Sequence, residues 1–260
     1  METPIARIRA ATDYQEEDMT GYELEVCIVL DATGSADSYI CAMRDDVVRF
    51  YDKYVAYQQE RYASYGDVLK SLRVQLIDYA DFATEGEDAI HKSRFFELPR
   101  EQEALAAWFD AIEYRNRGGD LPENGLEALY EAIHTDWTPR DKADVRQCRA
   151  IILVSDYEPV DLRDRAGCLG YPEGRYPENM TDFEKDWNAF LGIEEDDEDG
   201  WDGDLLRNST NLYLYAPTEE DKAGKWSWVY NWAFVCGIPF GSLVKDGICF
   251  DMIVEEIIRY

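Results

Sequence analysis

Oxygen-bearing side chains follow the first strongly apolar segment of the sequence at alternate positions. The apolar run 26–30 leads directly into Asp31, Thr33 and Ser35. An apolar run of this length, bounded by a turn, predicts a strand that is buried on both faces of a sheet. One carboxylate and two hydroxyls are hard oxygen ligands of the kind that Mg²⁺ or Mn²⁺ prefers. The sequence therefore predicts a divalent metal site at the carboxyl end of this strand.

Two further aspartates are candidates for the same site. The apolar strand predicted over 149–155 runs into Asp156, and Asp120 follows Gly118 and Gly119 in a turn-rich stretch. In an open α/β sheet, ligands bind in the crevice outside the carboxyl ends of the strands. We therefore expect Asp31, Thr33, Ser35, Asp120 and Asp156 to be the metal ligands.

Each of these residues also has an interpretation without a metal. The hydroxyls of Thr33 and Ser35 could serve only to satisfy backbone groups of the turn. Asp120 could cap the helix that is predicted to start near Pro122, and so not contact the metal. Asp78 and Asp81, which end the next predicted strand, are either neighbours of the site or solvated groups.

Strands and helices alternate along the chain, which predicts an α/β fold. Beyond the first strand, period-2 and period-3.6 patterns predict strands at 72–77, 91–98, 149–155 and 210–215, and at 242–244 or 248–250. The same patterns predict helices at 37–63, 101–114, from Pro122 onward, 182–191, 219–234 and 251–258. This order predicts a doubly wound, mostly parallel central sheet with one antiparallel edge strand, formed by 91–98.

The predicted domain organisation is simple. Residues 1–21 are polar and are expected to form an arm, whereas 22–260 form a single domain. Regular patterning is lost at about 161–208, where Gly, Pro, aromatic and acidic residues dominate. This stretch is predicted to be an acidic insertion that starts just after Asp156 and therefore overhangs the metal site.

Composition restricts the classes of partner. The 260 residues carry a formal net charge of -29, which disfavours binding to nucleic acid or to an anionic membrane surface. A basic protein partner or bound cations fit this charge better. The six cysteines include no CxxC pair, and no apolar run reaches the roughly 18 residues of a membrane span. We therefore expect a soluble protein of a reducing, cytoplasmic compartment.

Together these motifs resemble the von Willebrand factor A (vWA) domain and its metal-ion-dependent adhesion site. The family's DxSxS motif reads Asp31-Ala32-Thr33-Gly34-Ser35 here, with Thr in place of the first Ser. The family's Thr in a Gly-rich loop falls at Asp120, and its last Asp corresponds to Asp156. Ala36 stands where family members usually carry Met or a similar apolar residue. The resemblance covers most of the chain and is closest to intracellular bacterial members.

The resemblance implies a Rossmann-like vWA fold and a metal-dependent protein-interaction module without catalytic residues. The ion would be Mg²⁺, or alternatively Mn²⁺ or Ca²⁺, and a partner protein would offer a carboxylate to its open coordination position. A third carboxylate at Asp120 would make that position less electrophilic. A metal-assisted hydrolase is the alternative, with Glu123, Asp81 or Glu158 as the general acid or base. A scaffold with a degenerate site is the third possibility.

Overall fold

The computed structural model of the chain describes residues 21–34, 37–62, 69–113, 115, 123–140, 145–193, 209–219 and 222–258. Within these residues, helices cover both faces of a seven-stranded, mostly parallel sheet. The predicted doubly wound α/β fold is confirmed. The predicted arm, except for Gly21, lies outside the described residues.

The described elements have the following bounds. The strands are β1 (Tyr22–Asp31), β2 (Leu69–Tyr79), β3 (Ile90–Lys92), β4 (Phe96–Leu98), β5 (Arg146–Val154), β6 (Thr210–Ala216) and β7 (Val235–Pro239). The helices are α1 (Asp37–Val48), α2 (Phe50–Tyr62), α3 (Phe82–Glu85), α4 (Gln102–Asp110), α5 (Gly125–Ile133), α6 (Met180–Leu191), α7 (Trp226–Val229), α8 (Phe240–Asp246) and α9 (Phe250–Ile258).

β1 occupies the centre of the sheet. The strand order is β3-β2-β1-β5-β6-β7, and β4 also pairs with β2. The parallel neighbours of β1 are β2 on one side and β5 on the other. The direction of winding therefore reverses between β1 and β5, which makes this position the topological switch point of the sheet.

The sequence of β1 is apolar on both faces because helices cover both faces. Val26 and Ile28 point into the core beneath α1, α2, α4, α8 and α9. Cys27 and Val29 point into the opposite core, beneath α5, α6 and α7. All four side chains are fully buried. Burial of each aliphatic side chain stabilises the fold by roughly 1.5–3 kcal/mol, so β1 is a stable support for the turn that follows Asp31.

The antiparallel edge differs in detail from the predicted single strand at 91–98. β3 and β4 both pair antiparallel with β2, and the segment between them leaves the ladder. There the backbone N–H of Leu76 donates to Ser93 Oγ at 2.9 Å, so a side chain takes the place of a backbone acceptor.

The single helix predicted at 37–63 is divided into two helices, α1 and α2, with an interruption at Arg49.

The prediction was wrong at the carboxyl-terminal end of the sheet. In place of a helix at 219–234, the structure has the short helix α7 with turns on either side. Gly224 has a φ of 50°, which a continuous right-handed helix cannot contain. The last strand is β7, whereas the predicted strand positions 242–244 and 248–250 fall in α8 and at the start of α9.

The described part of the predicted insertion packs against the loops at the carboxyl edge of the sheet. Arg165 forms a bidentate ion pair with Asp81, with N–O distances of 2.7 and 3.0 Å. Farther along, Arg175 and Tyr176 donate to the buried carboxylate of Glu131 on α5. The predicted helix at 182–191 is present as α6, which packs on α5. The first part of this stretch is therefore anchored beside the predicted site.

Two properties of the chain bear on its environment. All six cysteines are free thiols, and burial raises the pKa of Cys27 and of Cys148. Within the part of the chain that the structure describes, no helix has both the length and the apolar composition needed to cross a bilayer.

The contact between α5 and α7 gives a prediction about stability. A Cβ at Gly125 would lie 2.7 Å from the ring of Trp226. We expect Gly125→Ala to lower the free energy of unfolding by about 1–3 kcal/mol, because the buried ring has to move. Gly241→Ala is the matched control, since a Cβ at this helical position meets nothing within 4 Å. In denaturant unfolding, the free energy of unfolding of Gly241→Ala should be unchanged or slightly higher than that of the wild type. An equal decrease in both variants would contradict the proposed clash with Trp226.

Candidate metal centre

Asp31 and Asp156 lie at the ends of neighbouring parallel strands. Asp31 is the last residue of β1, and Asp156 follows the last residue of β5 by two positions. The register pairs Leu30 of β1 with Val154 of β5, so both aspartates leave the sheet at the same level. Two of the predicted ligands are therefore at the switch point of the sheet.

The carboxylate of Asp31 is held by the turn that follows it. Its Oδ1 atom accepts hydrogen bonds from the backbone N–H of Thr33 at 3.0 Å and from Thr33 Oγ1 at 2.7 Å. The hydroxyl of Tyr39 donates to the Asp31 carbonyl at 2.9 Å and fixes the backbone. The other carboxylate oxygen, Oδ2, is buried and has no hydrogen-bond partner. Asp31 thus presents one oriented, unsatisfied oxygen.

Asp156 presents a second such oxygen. Its Oδ1 atom is buried and also lacks a hydrogen-bond partner. The turn that carries it is fixed by two donors to the Tyr157 carbonyl, namely Ser155 Oγ at 2.8 Å and Trp226 Nε1 at 3.0 Å. A buried carboxylate oxygen without a donor is costly, and a bound cation removes this cost.

Thr33 adds a third oxygen to the arrangement. Its hydroxyl proton is directed to Asp31 Oδ1, and a hydroxyl that donates in this way keeps lone pairs for an ion. Thr33 is buried, as a ligand of an interior ion would be. The donor set of two carboxylates and a hydroxyl is the hard-oxygen set that Mg²⁺ or Mn²⁺ prefers, so the described residues fit such an ion.

Ser35 and Asp120 lie outside the described residues, and their ligation stays a prediction. In the described residues, no three His, Cys, Asp or Glu side chains are grouped closely enough to hold an ion by themselves. The helix expected from Pro122 begins at Gly125, so the N-cap position belongs to Asn124. A complete coordination shell would need Ser35, Asp120 or water in addition to the three described oxygens.

Burial raises the pKa of Asp31 to about 7. The hydrogen bonds from Thr33 oppose this rise, the negative charge of Asp156 adds to it, and the positive charge of Arg115 opposes it. Burial and then the charge of Asp31 also raise the pKa of Tyr79, whose hydroxyl donates to the Val154 carbonyl at 3.3 Å. Near neutral pH, the ionised form of Asp31 is therefore held at a cost that a cation would offset.

Arg115 is a residue of this site that the sequence analysis did not identify. Its backbone N–H donates to the Ala32 carbonyl at 2.8 Å, and it forms a parallel bridge with Thr33. Its buried guanidinium pairs with Asp78, whose carboxylate also lies 3.3 Å from His91 Nδ1. The signal in the sequence was a pair of basic residues, Arg115 and Arg117, just before the Gly-rich loop of a very acidic chain.

The candidate acids for hydrolysis have different environments. Asp81 is buried, forms the bidentate ion pair with Arg165 and caps α3 through the N–H of Ala83. Both carboxylate oxygens of Asp81 therefore already accept hydrogen bonds from donors of the chain. Glu123 is buried and bridges to Pro159, whereas Glu158 is half-buried beside Gly224. None of these contacts selects one residue as a general base.

No protein-family model matches the chain, and no curated protein matches its sequence.

Solved structures with a similar backbone include a matrix protein and an adhesin. One is proximal thread matrix protein 1 from the mussel byssus, solved with a zinc-occupied MIDAS motif. The sequences are 9% identical, the TM-score is 0.43, and the match covers 91% of this chain and 48% of that chain. Another is the pilus adhesin SpaC from Lactobacillus rhamnosus GG in its open conformation, with 12% identity and a TM-score of 0.48 over 92% of this chain and 30% of that chain. The chain spans less than half the length of either protein.

The pKa of Asp31 gives a prediction for the metal-free protein. Between pH 4 and pH 7 the folded chain keeps a proton on Asp31 that the unfolded chain releases, so this group lowers the unfolding free energy as pH rises. Asp31→Asn retains an acceptor for Thr33 and carries no charge. In EDTA at pH 8, we expect Asp31→Asn to melt at a higher temperature than the wild type. At pH 5.5 this difference in melting temperature should be smaller by several degrees.

Asp110→Asn is the control for this measurement. Asp110 is exposed on α4, and the Arg44 guanidinium lowers its pKa, so its removal should not stabilise the protein at pH 8. A difference between Asp31→Asn and the wild type that does not change with pH would contradict the account of a buried, ionised Asp31.

Proposed function

We propose that the chain is a divalent-metal-dependent protein-interaction module of the vWA type. The observation that carries this proposal is the pair of buried, unpartnered carboxylate oxygens of Asp31 and Asp156 at the switch point of the sheet. The spacing of Asp31, Thr33 and Ser35 after β1 supports it, because it follows the family's motif.

The proposed site holds Mg²⁺, with Mn²⁺ and Ca²⁺ as alternatives. Thr33 and Ser35 supply hydroxyl oxygens, while Asp31, Asp156 and Asp120 supply carboxylates either directly or through water. The ion supplies a centre of positive charge with an open coordination position. The chain's own residues orient the ligands: Tyr39 fixes the backbone at Asp31, and Trp226 fixes the turn after Asp156.

A partner protein would approach the carboxyl edge of the sheet. Tyr157 follows Asp156 directly in the sequence and is 40% exposed. Leu169, in the predicted insertion, is 84% exposed on a loop that packs against Gly86. We propose that these two exposed apolar side chains are contact points for the partner. The net charge of -29 favours a partner with a basic surface around the group that reaches the ion.

The metal part of the proposal predicts a change in thermal stability. An ion that binds the folded chain alone raises its stability by mass action. We expect Mg²⁺ or Mn²⁺ at 1 mM to raise the melting temperature of the EDTA-treated wild type by several degrees, and to leave Asp31→Ala unchanged. Asp110→Ala, which removes an exposed carboxylate on α4, should respond as the wild type does. Indifference of the wild type to Mg²⁺, Mn²⁺ and Ca²⁺ alike would contradict the proposal.

The interaction part of the proposal predicts metal-dependent capture of a protein. Immobilised wild-type protein should retain a partner from a bacterial extract in Mg²⁺ and release it on addition of EDTA. Immobilised Asp31→Ala should retain no partner. Phosphatase and esterase assays on generic substrates accompany this experiment. Hydrolysis by the wild type that is lost in Asp31→Ala would instead assign the site to a metal-assisted hydrolase.

A further inference from the structure

Arg115 is fixed in place by contacts with residues at the carboxyl ends of β1 and β2 and directly before β3. Its backbone is bonded to Ala32 and bridged to Thr33, directly after β1. Its guanidinium pairs with Asp78 on β2, and Nη1 donates to the carbonyls of Asp88 and Ala89. The side chain is only 8% exposed. An arginine bound in this way cannot move away when an ion arrives.

The guanidinium is also charged and electrostatically coupled to the site. Burial lowers the pKa of Arg115 to about 10, against the opposing effects of Asp31 and Glu123, so the group remains protonated at neutral pH. Its partner Asp78 lies opposite Leu30 in the register of β1 and β2, so the positive charge lies beside the end of β1. Asp31, the next residue of β1, has an unpartnered carboxylate oxygen, Oδ2. A fixed positive charge close enough to influence a ligand also repels a divalent cation bound to that ligand.

We propose that Arg115 is a built-in counter-cation of the metal site, which offsets the charge of its carboxylates when the ion is absent and weakens ion binding when it is present. This inference rests on the proposed function, because it assumes that Asp31 and Asp156 hold an ion. Arg115 is a positioning residue and does not itself contact the ion. Its charge offsets part of the negative charge of Asp31 and Asp156, so that the bound ion remains able to attract a partner's acidic group.

The test is calorimetric titration of Mg²⁺ and Mn²⁺ into the EDTA-stripped full chain. We expect Arg115→Met to bind the ion more tightly than the wild type, on the order of tenfold, because a like charge near the ion has been removed. Arg115→Lys, which keeps the charge, should bind with nearly the wild-type affinity. Without metal, Arg115→Met should melt at a lower temperature than the wild type, and the ion should raise its melting temperature by more. A purely structural role would instead weaken ion binding in both variants.

A second pair of variants covers the case in which Arg115→Met leaves Asp78 buried without a partner and prevents folding. Asp78→Asn alone and Asp78→Asn with Arg115→Met differ only at position 115, and neither contains a buried, unpaired carboxylate at position 78. The double variant should bind the ion about tenfold more tightly than Asp78→Asn. Equal or weaker binding by the double variant would overturn the inference.

The outcomes separate this inference from the proposed function. If the wild type binds the ion and Arg115→Met binds it with equal or lower affinity, the counter-cation role of Arg115 is refuted and the proposed metal site is supported. If Arg115→Met binds an ion and the wild type binds none, the counter-cation is supported in its strongest form and the proposed metal dependence is refuted. If neither the wild type nor any variant binds an ion, both are refuted.

Discussion

The structure depends on the burial of one carboxylate at the end of its central strand. β1 is covered on both faces, and it ends in Asp31, which is 1% exposed. Ionised groups are stable in such a place only when donors or cations surround them. Thr33 satisfies one oxygen of the carboxylate and leaves the other to be satisfied by something the described chain does not provide. This unmet requirement is the reason to place an ion at the switch point of the sheet.

The other acids at this edge of the sheet satisfy the same requirement with arginines. Asp78 and Asp81 end β2 or follow it, and they pair with Arg115 and Arg165 respectively. Each arginine comes from a segment far away in sequence, so the ion pairs also fasten loops to the sheet. Asp156 has an unpartnered oxygen like that of Asp31, on the neighbouring strand. Among the described residues, Asp78 and Asp81 each have an arginine partner, whereas Asp31 and Asp156 form no ion pair. This difference marks out the proposed ion-binding point.

The sequence predicted the elements that its periodicity determines, and it failed where long-range contacts decide. Strands such as β1 and β5 are apolar runs that end in an aspartate, so both their position and the level of Asp31 and Asp156 followed from the pattern alone. β7 was missed because it contains Gly237 and Pro239, which are weak strand formers; Gly237 is needed there because the Tyr230 ring occupies the space of a Cβ. Arg115 was missed because only the fold brings it to Asp31 and Asp78. Basic residues in a turn, such as Arg115 and Arg117, give no sign in the sequence of the groups they will pair with.

The most direct measurement is the anomalous scattering of crystals grown with Mn²⁺. The account predicts a peak within direct or one-water coordination distance of Asp31 Oδ2 and Asp156 Oδ1, and its loss in crystals of Asp156→Ala that retain the same fold. A manganese peak at other carboxylates of this acidic chain, with none between the ends of β1 and β5, would contradict it.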